Sequence, residues 1–210
     1  QAGTCPRRRI VTEADELAAV ICKNMTIGIT VCEDIWNITH LEDQRYMENR
    51  VYDIDPIAIY QDMDVELIIN ISASPFVKKK PWLKQNMLQT TAKQYNIPII
   101  YVNQVGGNDS LVFEGGSMVF DRNGNLLAKA KSFEEDLLVF DFSTNSSSKP
   151  LPEEPYTEKD ELEEIRKALV LGVKDYVHKC GFSKVVIGLS GGIDSALTAA
   201  LAVQALGNKN

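Results

Sequence analysis

Three observations predict an α/β fold for this 210-residue chain. Apolar runs at residues 25–31, 65–72 and 97–103 have the length and composition of strands. A segment with helix-compatible spacing, residues 81–95, lies between the second and third runs, and strong hairpin signals follow. Near the end, a β-branched run at 184–187 reads as a buried parallel strand and leads through a Gly-rich turn into an Ala/Leu-rich helix.

The elements follow in order. Residues 1–9 are polar and basic and read as a solvated tail, and residues 12–16 as a helix start or loop. In the strand at 25–31, Ile27, Ile29 and Val31 share one face. It delivers Cys32-Glu33-Asp34-Ile35-Trp36 at its C-terminal end, where ligands and catalytic groups gather in α/β folds. Residues 40–60 are polar and irregular, a surface connection or short helix; Asp53 and Asp55 read as surface charge rather than a catalytic dyad. The second strand ends at Ala73-Ser74-Pro75-Phe76, and Lys78-Lys79-Lys80 leads into the helix, with Pro81 suited to its first turn and Leu83, Met87 and Ala92 facing a core.

After the third strand, residues 104–109 read as a loop, 112–120 as one strand, and Asn123-Gly124 as a hairpin turn. Residues 126–130 and 137–142 complete a mixed α/β layer sandwich. The Ser/Pro/Asn-rich stretch 143–156 is a linker. Thr157 with Asp160 then offers a capping pair for a helix carrying Leu162, Ile165, Leu169, Val173, Tyr176 and Val177, with Gly181 as its stop.

Composition narrows the function. A net charge of −7 argues against a nucleic-acid surface. No apolar run approaches the roughly 20 residues of a membrane span. Cys5, Cys22, Cys32 and Cys180 fit neither a metal-site spacing nor a disulfide framework, so reduced thiols in a cytoplasmic protein are expected. The chain starts without Met and stops after one strand and one helix of its last unit, so it reads as a piece of something longer.

Two stretches carry chemistry. The first is Cys32: alone it would more often be a small buried residue, and its acidic neighbours would raise its thiol pKa. A reactive Cys32 therefore needs a cation or base from elsewhere. The second is Gly188-Leu189-Ser190-Gly191-Gly192-Ile193-Asp194-Ser195 between strand and helix. A Gly pair here exposes successive N–H groups beside the positive end of a helix, a cradle for phosphate. It lacks the Gly-Lys-Ser/Thr ending of a Walker A loop. Ser-Gly-Gly-x-Asp-Ser instead resembles the pyrophosphate loop of ATP pyrophosphatases.

The two halves together are more specific. Residues 29–36 resemble the nucleophile segment of nitrilase-superfamily amidases. Ser72-Ala73-Ser74-Pro75-Phe76, Asn103-Gln104-Val105-Gly106-Gly107 and Phe113-Glu114-Gly115-Gly116-Ser117 resemble later motifs of the same domain. Such a domain upstream of this loop resembles the glutamine-dependent NAD⁺ synthetase family, over about residues 27–206. The resemblance implies a truncated nitrilase-like αββα sandwich over 1–142, a linker at 143–156, and over 157–210 the first helix–strand–loop–helix of a Rossmann-like synthetase domain. It implies glutamine hydrolysis at one site and Mg²⁺-ATP-dependent amidation of deamido-NAD⁺ at the other, with ammonia passing between them.

By the same resemblance Cys32 is the nucleophile, Ser74 and Lys80 hold glutamine's amino-acid end, and Glu33 lies near it. Residues Gly188, Leu189, Ser190, Gly191, Gly192, Ile193, Asp194 and Ser195 bind ATP, with Asp194 as the Mg²⁺ ligand. A homo-oligomeric parent is also implied. The family's catalytic Glu and Lys precede its Cys motif and find no counterpart before Cys32, and the later substrate-binding segments are missing, so the piece alone is expected to be inactive. Two readings compete. One is another glutamine-fed ATP pyrophosphatase of the GMP synthetase kind, whose Gly-x-Cys-x-Gly context Val31-Cys32-Glu33 lacks. The other is a non-catalytic amidase-like scaffold.

Overall fold

The computed structural model describes residues 17–36, 55–141, 149–152 and 155–210. The expectations for residues 1–16, 40–54 and 142–148, Cys5 and Asp53 among them, lie outside these. Its centre is a six-stranded mixed sheet of order β1-β2-β3-β4-β7-β8. Strands β2 (Met25–Val31), β3 (Leu67–Ser72) and β4 (Ile99–Asn103) are parallel, in the register Val31↔Ile71↔Val102. β1 (Ala19–Cys22), which the sequence pattern did not announce, adds antiparallel to β2 across a Lys23-Asn24 turn with φ of 47° and 66°. That left-handed pair is the geometry of a tight hairpin. β7 (Met118–Phe120) and β8 (Leu126–Lys129) close the other edge around Gly124, φ 82°, whose neighbour Asp121 accepts the N–H groups of Asn123 and Asn125.

Two helices cover one face. α1 (Pro56–Asp62) starts at Asp55, whose carboxylate caps Ile57 N–H and accepts the hydroxyl of Tyr95. Asp55 is thus a helix cap. α2 (Lys80–Tyr95) follows the Lys run. Ile57 and Tyr60 of α1 and Met87, Leu88 and Ala92 of α2 meet Ile68, Ile99, Tyr101, Met118 and Phe120 in the core. Leu83, Met87 and Ala92 face inward as expected. The close approach of α1 needs Gly28, where a Cβ would lie 2.8 Å from Ile68 Cδ1 and 2.9 Å from Tyr60 Cγ.

The other face of the sheet is open. Ile29, Val31, Ile71 and Val102 are all exposed there. Ile27, Ile29 and Val31 do share a face, but it is the uncovered one; the helix-covered face of β2 carries Gly28 and Thr30. Of the expected αββα layers, the described residues supply one helix layer and one main sheet.

Four sequence expectations are corrected. Residues 112–120 are not one strand: Gly115 and Gly116, at φ 66° and 63°, break them into β6 (Leu111–Glu114) and β7. Residues 104–109 are not all loop, because β5 (Val105–Asn108) pairs with β6 in a two-stranded ribbon. The described residues of 137–142 are irregular, with Leu137 and Val139 exposed. Residues 184–187 form no strand and pair with none among the described residues, and Val186 is fully exposed. Apolar, β-branched character makes a segment fit a sheet, but only neighbouring strands make one.

After the linker, α3 (Glu158–Lys179) starts with the Thr157–Asp160 capping box and runs to α4 (Ile193–Leu206), which packs beside it. Leu162, Leu169 and Tyr176 of the α3 stripe are exposed, whereas Glu161, Ala168 and Val177 are buried. The buried face of α3 lies on the β5–β6 ribbon. Asp175 accepts the Gly107 N–H at 2.6 Å, Lys179 donates to Gly107 C=O at 2.5 Å, and a Cβ on Gly107 would lie 3.2 Å from Gly172 Cα. Near the start of the helix, Glu161 pairs with Lys78 at 2.5 Å.

Candidate functional site

The site gathers at the C-terminal ends of β2, β3, β4 and β6, where parallel strands leave an open crevice. Cys32 opens a 3-10 turn (Cys32–Trp36) directly after β2. Its φ of 49° is left-handed, a conformation costing a non-Gly residue on the order of 1 kcal/mol. Neighbours hold it there. Asp34 Oδ2 accepts the Val31 N–H at 2.7 Å, tying the turn back to the strand. Beneath it, Ser72 donates to Asn70 Oδ1, and Asn70 Nδ2 donates to Thr30 Oγ1 at 2.9 Å and to Cys32 C=O at 3.5 Å. The thiol is partly exposed, and Cys22 and Cys180 are also free. Glu33, on the same turn, is exposed.

The predicted partners arrive from β3 and α2. Ser74 is 2% exposed; its N–H donates to Asn103 Oδ1 at 3.0 Å, and its Oγ has no hydrogen-bond partner. Lys80, in the first turn of α2, donates to Pro75 C=O at 3.2 Å and sits 5.6 Å from the Trp36 ring centroid. Burial holds its pKa below the ordinary lysine value, with Lys84 adding to the depression, while Glu114, Cys32 and Glu33 oppose it. Lys80 is therefore a cation within electrostatic reach of Cys32. The structure thus places Cys32, Ser74 and Lys80 at one end of the sheet, with Lys80 in electrostatic reach of Cys32 and of the exposed Glu33.

Three further residues stand in this cluster. Lys84, one turn after Lys80 on the same helix face, is 1% exposed and paired with the equally buried Glu114 at the end of β6. Its ammonium lies 5.0 Å from the centroid of the Tyr101 ring. Burial lowers the Lys84 pKa, and Glu114 resists that shift. Burial raises the Tyr101 pKa, with Glu114 and Cys32 adding to the rise. The hydroxyls of Ser72 and Ser74 lie near enough to Tyr101 to offset this in part, but neither makes a hydrogen bond of good geometry, so Tyr101 OH is unpartnered. Glu114 Oε2 is unpartnered as well. Glu114 lies within the quoted motif 113–117, and Lys84 follows Lys80 by one turn, so helical spacing was the available signal for it. Tyr101 carried none, because an aromatic in an apolar strand reads as core.

The second predicted stretch forms a separate feature. Residues 188–192 run exposed into the N-terminus of α4, which begins at Ile193 rather than at Ala196. Gly191 has φ 85° and Gly192 is the N-cap. Ser195 Oγ donates to Gly192 C=O at 3.0 Å and lies 3.1 Å from Ser190 Oγ, curling the turn over the helix end. A Cβ on Gly188 or Gly191 would meet nothing within 4 Å, so the concave side is open. Leu189 and Ile193 are exposed, and Asp194 lies in the first turn of α4. Among the described residues no group of three metal-ligating side chains occurs, and no helix is long and apolar enough to cross a membrane.

Fold and cluster divide the chain into two parts: a sheet unit with a cysteine at a strand end, and a helix pair joined by a segment that ends in the Gly-rich turn. Residues 50–148 match the carbon–nitrogen hydrolase family, and residues 165–210 match the NAD synthase family. Over nine-tenths or more of its length the chain is similar to glutamine-dependent NAD(+) synthetases. It is 44% identical to that of Synechocystis sp. over 90% of this chain and 33% of the relative, and 35% identical to that of Thermotoga maritima over 99% and 39%. Among solved structures, glutamine-dependent NAD+ synthetase from Acinetobacter baumannii in complex with ADP superposes with a TM-score of 0.80 at 34% identity, covering 94% of this chain and 34% of that one. The chain therefore spans about a third of the length of the relatives it matches, and the family resemblance read from its motifs is borne out.

Proposed function

We propose that this chain belongs to a glutamine-dependent NAD⁺ synthetase and contributes the glutaminase nucleophile and the ATP phosphate loop of that cytoplasmic, homo-oligomeric enzyme. The observation that carries the reading is the strand-end cluster: a strained, partly exposed Cys32 lies within electrostatic reach of Lys80, and the buried Ser74, its hydroxyl unpartnered, follows the end of the neighbouring strand. An amino acid presents a carboxylate and an ammonium at one end and the amide at the other. Lys80 and Ser74 suit the amino-acid end, which leaves the amide carbon to Cys32. Attack of the Cys32 sulfur on that carbon, with the thiol proton passed to the departing nitrogen, expels ammonia and leaves a thioester, which water then hydrolyses to glutamate and the free thiol.

The ammonia is consumed where the Gly-rich turn acts. The exposed turn at residues 190–193, the positive end of α4, and the Ser190 and Ser195 hydroxyls suit the phosphates of ATP. Gly191 at φ 85° leaves room for close approach. Asp194 is a carboxylate on that rim and would share an Mg²⁺ ion with the phosphates, and the ion would supply charge neutralisation there. Adenylylation of the nicotinate carboxylate of deamido-NAD⁺ releases pyrophosphate, and ammonia then displaces AMP to give NAD⁺. The ADP named in the Acinetobacter structure supports an adenine nucleotide as a ligand of the full-length enzyme.

The domain division follows the same reading: an amidase-type unit to residue 142, a linker at 143–156, and a synthetase unit from 157. The test is alkylation by an electrophilic diazoketone analogue of glutamine, read by mass spectrometry. One adduct on Cys32, blocked by excess glutamine, is expected. Labelling spread over Cys22, Cys32 and Cys180 alike would remove the assignment.

A further inference from the structure

Glu114 has no assigned role, yet it is a buried charged side chain with an unmet hydrogen-bonding need. It is a carboxylate 1% exposed, with one oxygen held by Lys84 and the other unpartnered. A buried polar atom without a partner costs stability, and a charged one costs more. Two more buried unpartnered groups stand near it: Tyr101 OH, whose ring centroid lies 5.0 Å from the Lys84 ammonium that Glu114 holds, and Ser74 Oγ, whose neighbour Pro75 bridges to Phe113 beside Glu114. They are the only buried side-chain N or O atoms without hydrogen bonds among the described residues, and all three belong to one cluster. Scattered packing faults would not converge in this way. Together they offer one anionic acceptor and two hydroxyls that can accept or donate.

That set fits a small group rich in N–H donors. Lys80 supplies the complementary cation beside it, and its charge and that of Glu114 influence each other. One cation and one anion side by side match the two charges of a zwitterionic α-amino acid. Glu33 is the competing carboxylate, but it is exposed on its turn, where water already solvates it.

We infer that Glu114 is a specificity-determining residue: its free oxygen Oε2, with the hydroxyls of Ser74 and Tyr101, receives the α-ammonium of the substrate, while Lys80 takes the α-carboxylate. The inference rests on the glutaminase reading above and deepens it. It explains why a buried Lys84 neutralises only one side of Glu114: the pair holds the carboxylate in place and leaves one oxygen for the ligand. A ligand lacking the ammonium would leave that oxygen unpaired and be rejected.

The experiment uses the full-length enzyme containing this chain and compares hydrolysis of glutamine with that of 5-amino-5-oxopentanoate, which is glutamine without its α-amino group. Wild type is expected to prefer glutamine strongly. Glu114→Gln keeps the shape and the contact with Lys84, and is expected to lower kcat/KM for glutamine about tenfold or more, the value of one charge-assisted hydrogen bond. Its effect on the deamino substrate is expected to be far smaller, so the preference collapses. Tyr101→Phe, which removes one hydroxyl and preserves the ring, is expected to shift the preference in the same direction by less, and serves if Glu114→Gln does not fold. Equal losses on both substrates, or a preference lost in Glu33→Gln and kept in Glu114→Gln, would overturn the assignment. Wild type hydrolysing both substrates equally would also overturn it, whereas wild type hydrolysing neither would remove the glutaminase reading itself.

Discussion

Replacing Lys84 with Met tests how the site is held together. Lys84 and Glu114 side chains are each 2% exposed, so the substitution leaves a buried carboxylate with no counter-charge. Removing one partner of a buried ion pair costs about 3–5 kcal/mol, because the remaining charge keeps its desolvation penalty. For a chain of this size, each kcal/mol lowers Tm by about 2–4 °C, so Lys84→Met should lower it by about 6–20 °C. The assay is thermal unfolding followed by tryptophan fluorescence. Both tryptophans of this chain, Trp36 and Trp82, lie in the sheet unit ahead of α3, so the signal reports that unit. The double variant Lys84→Met/Glu114→Leu removes both charges and should regain most of the loss, since apolar residues of similar volume can replace a buried pair. A single variant within about 1 kcal/mol of wild type, or a double variant no better than the single, would refute the reasoning.

Other predictions concern the docked helix, the titration of Lys80 and the Gly-rich turn. Gly107→Val forces a side chain against Asp175 Cβ and Gly172 Cα, both 3.2 Å from the added Cβ, and should loosen α3 from the β5–β6 ribbon; faster amide exchange confined to α3 and the ribbon would report it. Lys80 has a depressed pKa, so the folded state sheds this proton before the unfolded state does. Between the depressed value and the ordinary lysine value, stability therefore rises with pH, while KM for glutamine should rise as the ammonium is lost. Lys80→Met should raise KM at neutral pH and flatten that limb; an unchanged pH profile would contradict the role. Gly191→Val places a side chain at φ 85° on the open side of the turn, and in the full-length enzyme should raise KM for ATP about tenfold or more while leaving glutamine hydrolysis intact, as steady-state kinetics would show.

Much of this was legible in the sequence because local rules sufficed. The β2, β3 and β4 runs are continuous in apolar residues, and the Thr157–Asp160 capping box is a local hydrogen-bond pattern. Cys32, Ser74 and Lys80 were legible through strand ends and motif order, before their proximity was known. What escaped depended on partners distant in sequence. Residues 184–187 carry strand character but find no neighbour, and which face of β2 is covered depends on where Tyr60 packs. The break at Gly115-Gly116 turns on two positive φ angles that composition alone does not impose. Glu114 and Tyr101 were hidden because their importance lies in an unmet hydrogen-bonding need, visible only once burial is known.

The most direct test of the account is Cys32→Ala in the full-length enzyme, with NAD⁺ formation from deamido-NAD⁺ and Mg²⁺-ATP measured once with glutamine and once with ammonium. The account predicts loss with glutamine and survival with ammonium, since Cys32 serves only the release of ammonia. Unchanged activity with glutamine would contradict it and remove Cys32 from the chemistry.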